Sequence, residues 1–565
     1  MNRLCRRSRP VAGLALALLL TPALPLAAQK PVDRKAAGPE TFGEAIDVSV
    51  VNVDVFVTDK RGKPIAGLRK EDFEALEDGK PVPISNFTAE SGGAPSASAL
   101  ARPAVAGGKA AAPERPIDQQ LRLVVFVDDV NLTPRNRTRI LQSVGRFLHT
   151  GLRPGDQVML VRYSEELDIR RQFTADLAVL DADIAELLKL RTDIRKYEQS
   201  LATAIRSVRY SVLGDTGYGA TAEAAISDWA GYEGSTVRGA LNAVDSVVSW
   251  LAGVPGRKAV LYVSDGLPLV PGLDLFTVYT RAPVSSQNFD RTPEMVAQKF
   301  DMTTRFRQTT AHASRNRVVF YPIEAFGTRI DEGTQGLFDD VALVNRQNGL
   351  RFLAEDTGGR TLFNATDVPA ALARMAVDFE NYYSIGYQPQ RKGDEAEHKI
   401  EVRAKTRGAQ VRYRQWYRDK PAGEAVAEAT LAVMRFGPED NPLEATLEVV
   451  PGKKAGEMLV RVKVPVSKLY LQPGEGSRQG HLRLYVVAAG AGSTTPVRET
   501  RTATVEVPEA EAAAGTQRDY THEVAIPFKP GSYSVGVGVR DELSATTSYL
   551  RRDFTVGTGN GVAKQ

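Results

Sequence analysis

Six side chains that carry oxygen atoms stand where predicted strands end or a predicted helix begins: Asp128, Asp129, Asn131, Thr133, Thr236 and Asp265. The first four follow an apolar run at 123–127, and the last follows a second run at 259–263. Continuous apolar runs of this length are typical of buried parallel strands. Ligands of open α/β sheets bind at the carboxyl ends of such strands. The spacing therefore predicts an oxygen-rich site at one edge of a sheet.

The same residue types also have purely structural uses. Aspartate and asparagine after a strand often cap the next helix, and Thr133-Pro134 has the composition of a helix start. The pair Asp265-Gly266 is a common turn sequence. Asp128 and Asp129 are poorly placed as a catalytic acid and base, because adjacent residues of an extended strand point to opposite faces. A binding site and a set of helix caps both remain open on these residues alone.

Strands and helices alternate between about residue 120 and residue 382. The four predicted buried strands are the apolar runs at 123–127, 158–161, 259–263 and 318–321. Amphipathic stretches lie between them; in the first, Ile140, Val144 and Phe147 share one helix face. This alternation predicts an α/β domain at 120–382, with a doubly wound, mostly parallel sheet covered by helices on both sides.

The flanks of this domain are rich in predicted strands. Segments 46–90 and 383–417 each alternate apolar and polar residues, and neither is large enough to form a core alone. We therefore expect the two segments to pack together. Residues 91–118, rich in Ala, Gly, Ser and Pro, have the composition of a disordered linker. Segment 425–556 has strands at the spacing of an immunoglobulin-like β-sandwich.

A long insertion at 187–234 precedes Thr236, which is predicted to stand just before a helix in the sequence Gly234-Ser235-Thr236. It carries helical stripes and then a glycine-rich stretch at 214–219. An insertion beside a site at the end of a strand often shapes partner choice. A helical decoration of the sheet edge is the alternative.

Several motifs outside the oxygen-rich loops add to this pattern. They are Phe56-Val57-Thr58-Asp59, Asp356-Thr357-Gly358-Gly359, the segment 383–389 (YSIGYQP), Val411-Arg412-Tyr413-Arg414 and Trp416-Tyr417. With them, residues 120–380 resemble a von Willebrand factor A domain. The longer segment 46–417 resembles the exported, von Willebrand factor A-related proteins of acidobacteria. The resemblance covers about two thirds of the chain and bears on the fold more than on the biological role.

The resemblance implies a metal-ion-dependent adhesion site that holds Mg²⁺ or Mn²⁺. The family pattern is Asp-x-Ser-x-Ser on one loop, a threonine on a second and an aspartate on a third. Carried onto this chain, the metal residues are Asp129, Asn131, Thr133, Thr236 and Asp265. Mg²⁺ prefers hard oxygen ligands, and an acidic group of a protein partner would complete its coordination. The site is altered because Asn131 stands where the family has serine.

The N-terminus has the pattern of a secretory signal peptide at 1–28. It has four arginines, a short apolar core and a small-residue cleavage site after Ala28. Without those arginines the formal net charge falls from +4 to about 0, so no basic surface points to nucleic acid. The single cysteine, Cys5, lies inside this segment and precedes the apolar core, unlike a lipoprotein anchor. We expect a secreted, periplasmic or cell-surface protein without a transmembrane segment after cleavage.

Several enzyme classes lack their motifs in this sequence. The five histidines are scattered and form no His-Glu-x-x-His pair, and neither a Gly-x-Ser-x-Gly elbow nor a phosphate-binding loop is present. The sequence therefore favours a non-enzymatic adhesion or assembly module that binds a protein partner. The alternatives are a metal-independent structural envelope protein and, less favoured, a hydrolase of envelope polymers.

Overall fold

The computed structural model describes the following residues: 50–90, 115–164, 166–190, 195–212, 219–281, 293–324, 336–363, 367–390, 396–418, 420–437, 440–454, 456–474, 476–490, 496–513 and 518–557. The predicted signal peptide, most of the predicted linker at 91–118 and residues 214–218 of the glycine-rich stretch lie outside these residues. No helix within the described ranges combines the length and the apolar character needed to cross a membrane.

The strands are β1 (Val51–Thr58), β2 (Phe73–Glu77), β3 (Lys80–Val82), β4 (Ile84–Glu90), β5 (Leu121–Asp128), β6 (Gln157–Tyr163), β7 (Leu167–Thr174), β8 (Arg257–Ser264), β9 (Val318–Glu324), β10 (Tyr382–Tyr387), β11 (Glu397–Ala404), β12 (Gln410–Arg412), β13 (Trp416–Arg418), β14 (Thr446–Pro451), β15 (Glu457–Pro465), β16 (Gln472–Pro473), β17 (Ser477–Gly490), β18 (Val497–Pro508), β19 (Asp519–Pro527), β20 (Gly531–Asp541) and β21 (Thr547–Val556). The α-helices are α1 (Pro134–Gly151), α2 (Leu177–Lys189), α3 (Arg195–Val212), α4 (Gly219–Leu251), α5 (Leu273–Arg281), α6 (Pro293–Ala297), α7 (Thr303–Arg315), α8 (Gly336–Glu355), α9 (Val368–Glu380), α10 (Ala422–Phe436) and α11 (Glu509–Ala513).

The central sheet has the strand order β7-β6-β5-β8-β9. Strands β5, β6, β8 and β9 run parallel, and β7 adds an antiparallel edge. All eight residues of β5 are buried, because helices cover both faces of a parallel sheet of this kind. The predicted mixed α/β architecture with a mostly parallel sheet is confirmed.

Two apolar layers enclose this sheet. Along β5, residues 121, 123, 125 and 127 join a core with α1, α2 and α9, whereas residues 124 and 126 join a core with α4, α7 and α8. This division follows from the strand geometry, because successive side chains point to opposite faces. The carboxyl ends of β5 and β8 therefore meet at one edge, where Asp128 and Ser264 end their strands.

The two strand-rich flanks lie in the same pair of sheets. One sheet has the order β12-β1-β10-β4 and the other β13-β11-β2-β3, so each combines strands from both ends of the central domain. Their inner faces share a core that contains Val53, Ile385, Tyr387 and Val402. Neither segment has enough apolar surface to form this core by itself.

The C-terminal region packs two antiparallel sheets on one core. One sheet is β14-β15-β19, and the other is β16-β17-β20-β21 with β18 added on β17. Strand β15 alternates buried and half-buried residues along its length, as its sequence pattern predicts. The prediction of a strand-rich unit at 425–556 did not include α10, which occupies 422–436 and packs on β20. Gly536 and Gly538 allow this approach, since a Cβ at either would overlap Met434 or Thr430 of the helix.

The insertion contributes α3 and the N-terminal half of α4 to a helical layer with its own core. Helices α5 and α6, from later in the chain, share this core, and Val208, Ile226, Trp229 and Phe276 are among its buried residues. Because α4 begins at Gly219, Thr236 lies inside this helix.

We expect Gly349→Ala to lower the free energy of unfolding by about 2 kcal/mol, as overpacking of a core does. Gly349 lies in α8, and a Cβ there would overlap the carbonyl oxygen of Leu267 and the ring of Phe306. Urea denaturation would measure the loss. The matched control is Gly231→Ala in α4, where no atom lies within 4 Å of an added Cβ. That control should be neutral or stabilising, and equal losses in both variants would contradict the packing argument.

Candidate binding site at the carboxyl edge of the central sheet

Two loops meet at the carboxyl edge of the central sheet. The first joins β5 to α1, and the second follows β8. The backbone N–H of Asp265 donates to the carbonyl oxygen of Asn131 at 2.7 Å, which fixes one loop against the other. Asp128, Asp129, Asn131, Thr133 and Asp265 are therefore brought together, as the sequence predicts for residues at neighbouring strand ends.

Asp129 is held by two arginines that the sequence analysis did not single out. Its Oδ1 lies 2.8 Å from Nε of Arg137, and its Oδ2 accepts a hydrogen bond from Nε of Arg162 at 2.5 Å. The side chains of Asp129 and Arg137 are 1% and 3% exposed. Burial lowers the pKa of Arg137, and the negative charge of Asp129 opposes this shift. Both oxygens of Asp129 thus face cationic protein groups.

Arg137 is anchored at its other end as well. Its terminal nitrogens donate to the backbone carbonyl oxygens of Leu190, at 3.0 Å, and of Leu187. The guanidinium therefore spans from the carboxyl edge of the sheet to the end of α2. This anchored guanidinium lies at ion-pair distance from Oδ1 of Asp129, although its Nε and that oxygen are not aligned for a hydrogen bond.

Asp265 serves the start of α1. Its Oδ2 accepts from the backbone N–H of Thr133 at 2.7 Å, and its Oδ1 accepts from Nδ2 of Asn136 at 2.7 Å. Unpaired N–H groups at a helix start need acceptors of this kind, and no side chain of the helix's own N-cap supplies one. Asp265 is thus a cap supplied by another loop.

Asp128 is fully buried beneath these loops. Its Oδ2 accepts from the hydroxyl of Tyr262 at 2.5 Å and from Nδ2 of Asn131 at 2.8 Å. Burial raises the pKa of this carboxyl to about 6, while the hydrogen bonds from Tyr262 and Asn131 oppose the rise. The side-chain amide of Asn131 is therefore turned towards Asp128.

Thr236 stands apart from these contacts. Its hydroxyl donates to the carbonyl oxygen of Tyr232, one turn earlier in α4, at 3.1 Å. The prediction that it stands just before a helix was wrong, because the helical pattern extends back through the insertion. Its helix neighbour Glu233 accepts from the N–H of Gly272 and forms an ion pair of 3.0 Å with Arg346. This pair links α4 to α8.

The contacts allow a test of whether these residues fit a divalent ion. A Mg²⁺ or Mn²⁺ site needs carboxylate oxygens available to the ion. Asp129 directs both oxygens to arginines, Asp265 directs both to N–H donors of the α1 start, and Thr236 bonds within its own helix. Two guanidinium groups also add positive charge where the cation would sit. The residues do not fit the metal in this arrangement.

A different group of metal-ligand types lies in the flanking sheets. Glu77, Asp78 and His398 each bring one ligand-type atom within 4.8 Å of the others. Asp78 Oδ2 lies 2.8 Å from His398 Nδ1, and Glu77 accepts from the hydroxyl of Tyr417 at 2.8 Å. These contacts tie β2 to β11 and β13. Because these three side chains could bind an added metal ion, a metal titration of this chain needs a variant in which one of them is replaced.

The sequence contained a signal for the arginines. Arg137 follows Thr133 by one helical turn, so both lie at the start of α1, and Arg162 lies near the end of β6, beside β5. A basic residue at each of these positions places positive charge at the edge where the metal ligands were expected. The family pattern did not indicate Arg137 and Arg162, because it includes only the positions that bind the metal.

Comparison with known proteins adds little to these observations. No family profile and no curated protein sequence matches the chain. Among solved structures, an aerotolerance-related membrane protein from Bacteroides fragilis is 8% identical, with a TM-score of 0.24, over 46% of this chain and 98% of that one. Proximal thread matrix protein 1 from the mussel byssus is 10% identical, with a TM-score of 0.23, over 48% of this chain and 49% of that one.

A third solved structure is the ArnB paralog VWA2 from Sulfolobus acidocaldarius. It is 9% identical, with a TM-score of 0.18, over 89% of this chain and 74% of that one. TM-scores this low assign neither a fold family nor a function to this chain.

Proposed function

We propose that this chain is an exported, non-enzymatic protein-binding module of the von Willebrand factor A type whose carboxyl-edge face works without a divalent ion. One observation carries the proposal. Asp129, the residue at the first metal-ligand position, is paired on both oxygens with Arg137 and Arg162. On this proposal the two guanidinium groups take the place of the family's cation beside Asp129.

Arg162 supplies a way to bind a partner without metal. Its Nε donates a hydrogen bond to Asp129, and its side chain is 18% exposed. Within the part of the chain that the structure describes, its two terminal nitrogens form neither a hydrogen bond nor an ion pair. A guanidinium presents its N–H groups in a planar fork that matches a carboxylate. We propose that an acidic side chain of the partner meets Arg162, as it would meet the metal in the family.

The strand order of the central sheet supports the proposal of a binding domain. Its first strand, β5, lies in the middle of the sheet, and the two loops that carry the candidate site lie at the carboxyl edge. Export is supported by the N-terminal sequence pattern at 1–28. The absence of the common hydrolase motifs favours binding over turnover.

Partner capture from cell extract, with the chain lacking residues 1–28 as bait, tests the proposed function. We expect capture to be unchanged by chelator and lost in Arg162→Gln, because a side-chain amide carries no charge. The matched control is Arg170→Gln on β7, an arginine of similar exposure that pairs with Asp168 and Glu186. Melting curves would verify that both variants are folded.

Two outcomes would contradict the proposal. Capture that disappears with chelator in the unaltered chain would restore a metal-dependent mode. Capture that survives Arg162→Gln would place the partner elsewhere. Absence of any captured protein under all conditions would favour the metal-independent structural role instead.

A further inference from the structure

A basic cavity lies at the opposite end of the central sheet, where strands β8 and β9 begin. It has a volume of about 320 Å³ and lies between the central domain, the flanking sheets and α10. Six basic residues line it: Lys258, Arg315, Arg317, Arg414, Arg418 and Lys420. Among the residues that the structure describes, one acid, Glu428, lines the cavity. This cavity is separate from the carboxyl-edge site.

Half of the basic residues are neutralised by nearby carboxylates. Arg315 pairs with Glu397 at 2.5 Å, Arg418 with Glu424 at 3.5 Å and Lys420 with Glu428 at 2.7 Å. Among the residues that the structure describes, Lys258, Arg317 and Arg414 have no carboxylate within ion-pair distance. Three basic groups of the cavity therefore lack an ion pair, and Asp54 and Glu428 act on them only from a longer distance.

Lys258 is the most informative of the three. It is 7% exposed, and among the described residues its Nζ donates one hydrogen bond, to the carbonyl oxygen of Ala252 at 3.4 Å. Burial lowers its pKa well below the ordinary lysine value, and the positive charges of Arg317 and Lys420 lower it further. Burying an ammonium group without a counter-charge is costly. A bound anion would remove that cost.

The two arginines are arranged differently. Arg414 donates to the backbone carbonyl oxygens of Ser314, Trp416 and Asn52, which hold its guanidinium at the cavity wall. Arg317 is exposed, and its backbone lies in the left-handed region with φ of +55° at the turn before β9. The cavity thus combines a fixed arginine, an accessible arginine and a buried lysine.

We propose that this cavity binds a phosphate group, either free phosphate or the phosphate of a small phosphorylated molecule. Two arginines without ion pairs, beside a buried lysine that an anion would help to protonate, suit a multiply charged oxyanion better than a single carboxylate. The volume exceeds what one phosphate fills and lies within the range of small-molecule pockets. Binding would hold the central domain, the flanking sheets and α10 together.

Thermal melts and calorimetry with sodium phosphate, pyrophosphate and glycerol phosphate test the proposal, with sodium chloride at equal ionic strength as the salt control. We expect saturable binding and a raised melting temperature that chloride does not reproduce. Tighter binding of glycerol phosphate than of free phosphate would assign the site to a phosphorylated molecule, and the reverse order would assign it to the free anion.

Two variants locate the binding. Lys258→Met and Arg317→Gln should each weaken it by about tenfold or more, the effect expected for a hydrogen bond to a charged group. Lys258→Met should also raise the melting temperature without phosphate, because it removes a buried unpaired charge. Lys468→Met, on an exposed surface lysine, is the control and should change neither quantity. Absence of saturable binding, or binding unchanged in both cavity variants, would overturn the proposal.

Discussion

Arg137→Met is expected to lower the free energy of unfolding by about 3–5 kcal/mol, the range for removing one partner of a buried ion pair. The substitution keeps most of the apolar stem but leaves the carboxylate of Asp129, which is 1% exposed, without its buried partner. It also removes the hydrogen bonds to the carbonyl oxygens of Leu187 and Leu190. Urea denaturation, followed by a probe in the central domain, would measure the change.

Arg135→Met is the matched control for this prediction. Arg135 lies in the same turn of α1 and is exposed, so its substitution should change stability by less than about 0.5 kcal/mol. Adding Asp129→Asn to Arg137→Met should recover part of the loss, because the buried charge is then gone. A loss below about 1 kcal/mol for Arg137→Met would show that Asp129 does not depend on this arginine.

Asp128→Asn is expected to remove a contribution to the free energy of unfolding that depends on pH. Burial raises the pKa of Asp128 from 3.8 to about 6 in the folded state, so the folded chain binds this proton more tightly than the unfolded chain. The resulting stability is fully present below about pH 4 and is lost as the pH rises to about 6. The asparagine variant has no such proton. Its stability relative to the unaltered chain should therefore rise by about 2 kcal/mol between pH 4 and pH 7.

Unfolding curves of both proteins at several pH values would test this change. The test uses the change with pH of the difference in unfolding free energy between the two proteins. The altered hydrogen bonds to Tyr262 and Asn131 lower stability equally at every pH, so they do not affect this change. Asp118→Asn, at an exposed aspartate, is the control and should give a difference that does not vary with pH. A difference for Asp128→Asn that is equally flat would contradict the burial effect.

The central sheet was predictable because its signal is local. The run at 123–127 is apolar at every position, which only a strand covered on both faces requires. The adjacency of the loops after β5 and β8 followed from the parallel arrangement. The first inference needed only residues that are close together in the sequence, and the second needed only two such strands placed in one parallel sheet.

The chemistry of the site was less predictable because it depends on distant residues. Asp129 meets Arg162 from a neighbouring strand, and Asp265 meets Thr133 across two loops. The motif marks positions where oxygen ligands stand in relatives, but it does not reveal which protein donors compete for those oxygens. Thr236 was misplaced because its Gly-Ser context resembles a helix start, whereas packing of the insertion extends the helix through it.

Helix α10 was missed although its sequence carried a signal. Residues 422–436 are rich in alanine and glutamate, with leucine and methionine, all good helix formers. These residues were included in the predicted strand-rich unit because the segment that follows them has a strong strand pattern. The close fit of α10 over the glycines of β20 is a tertiary feature that local propensity does not reveal.

The most direct test of a metal-free site is titration of the chain lacking residues 1–28 with Mg²⁺ and Mn²⁺, followed by calorimetry and by melting temperature. The chain should also carry His398→Gln, so that binding at the Glu77, Asp78 and His398 group is not counted. We predict no saturable heat and an unchanged melting temperature at millimolar metal. Saturable uptake that raises the melting temperature and is abolished by Asp129→Asn or Asp265→Asn would contradict the metal-free site.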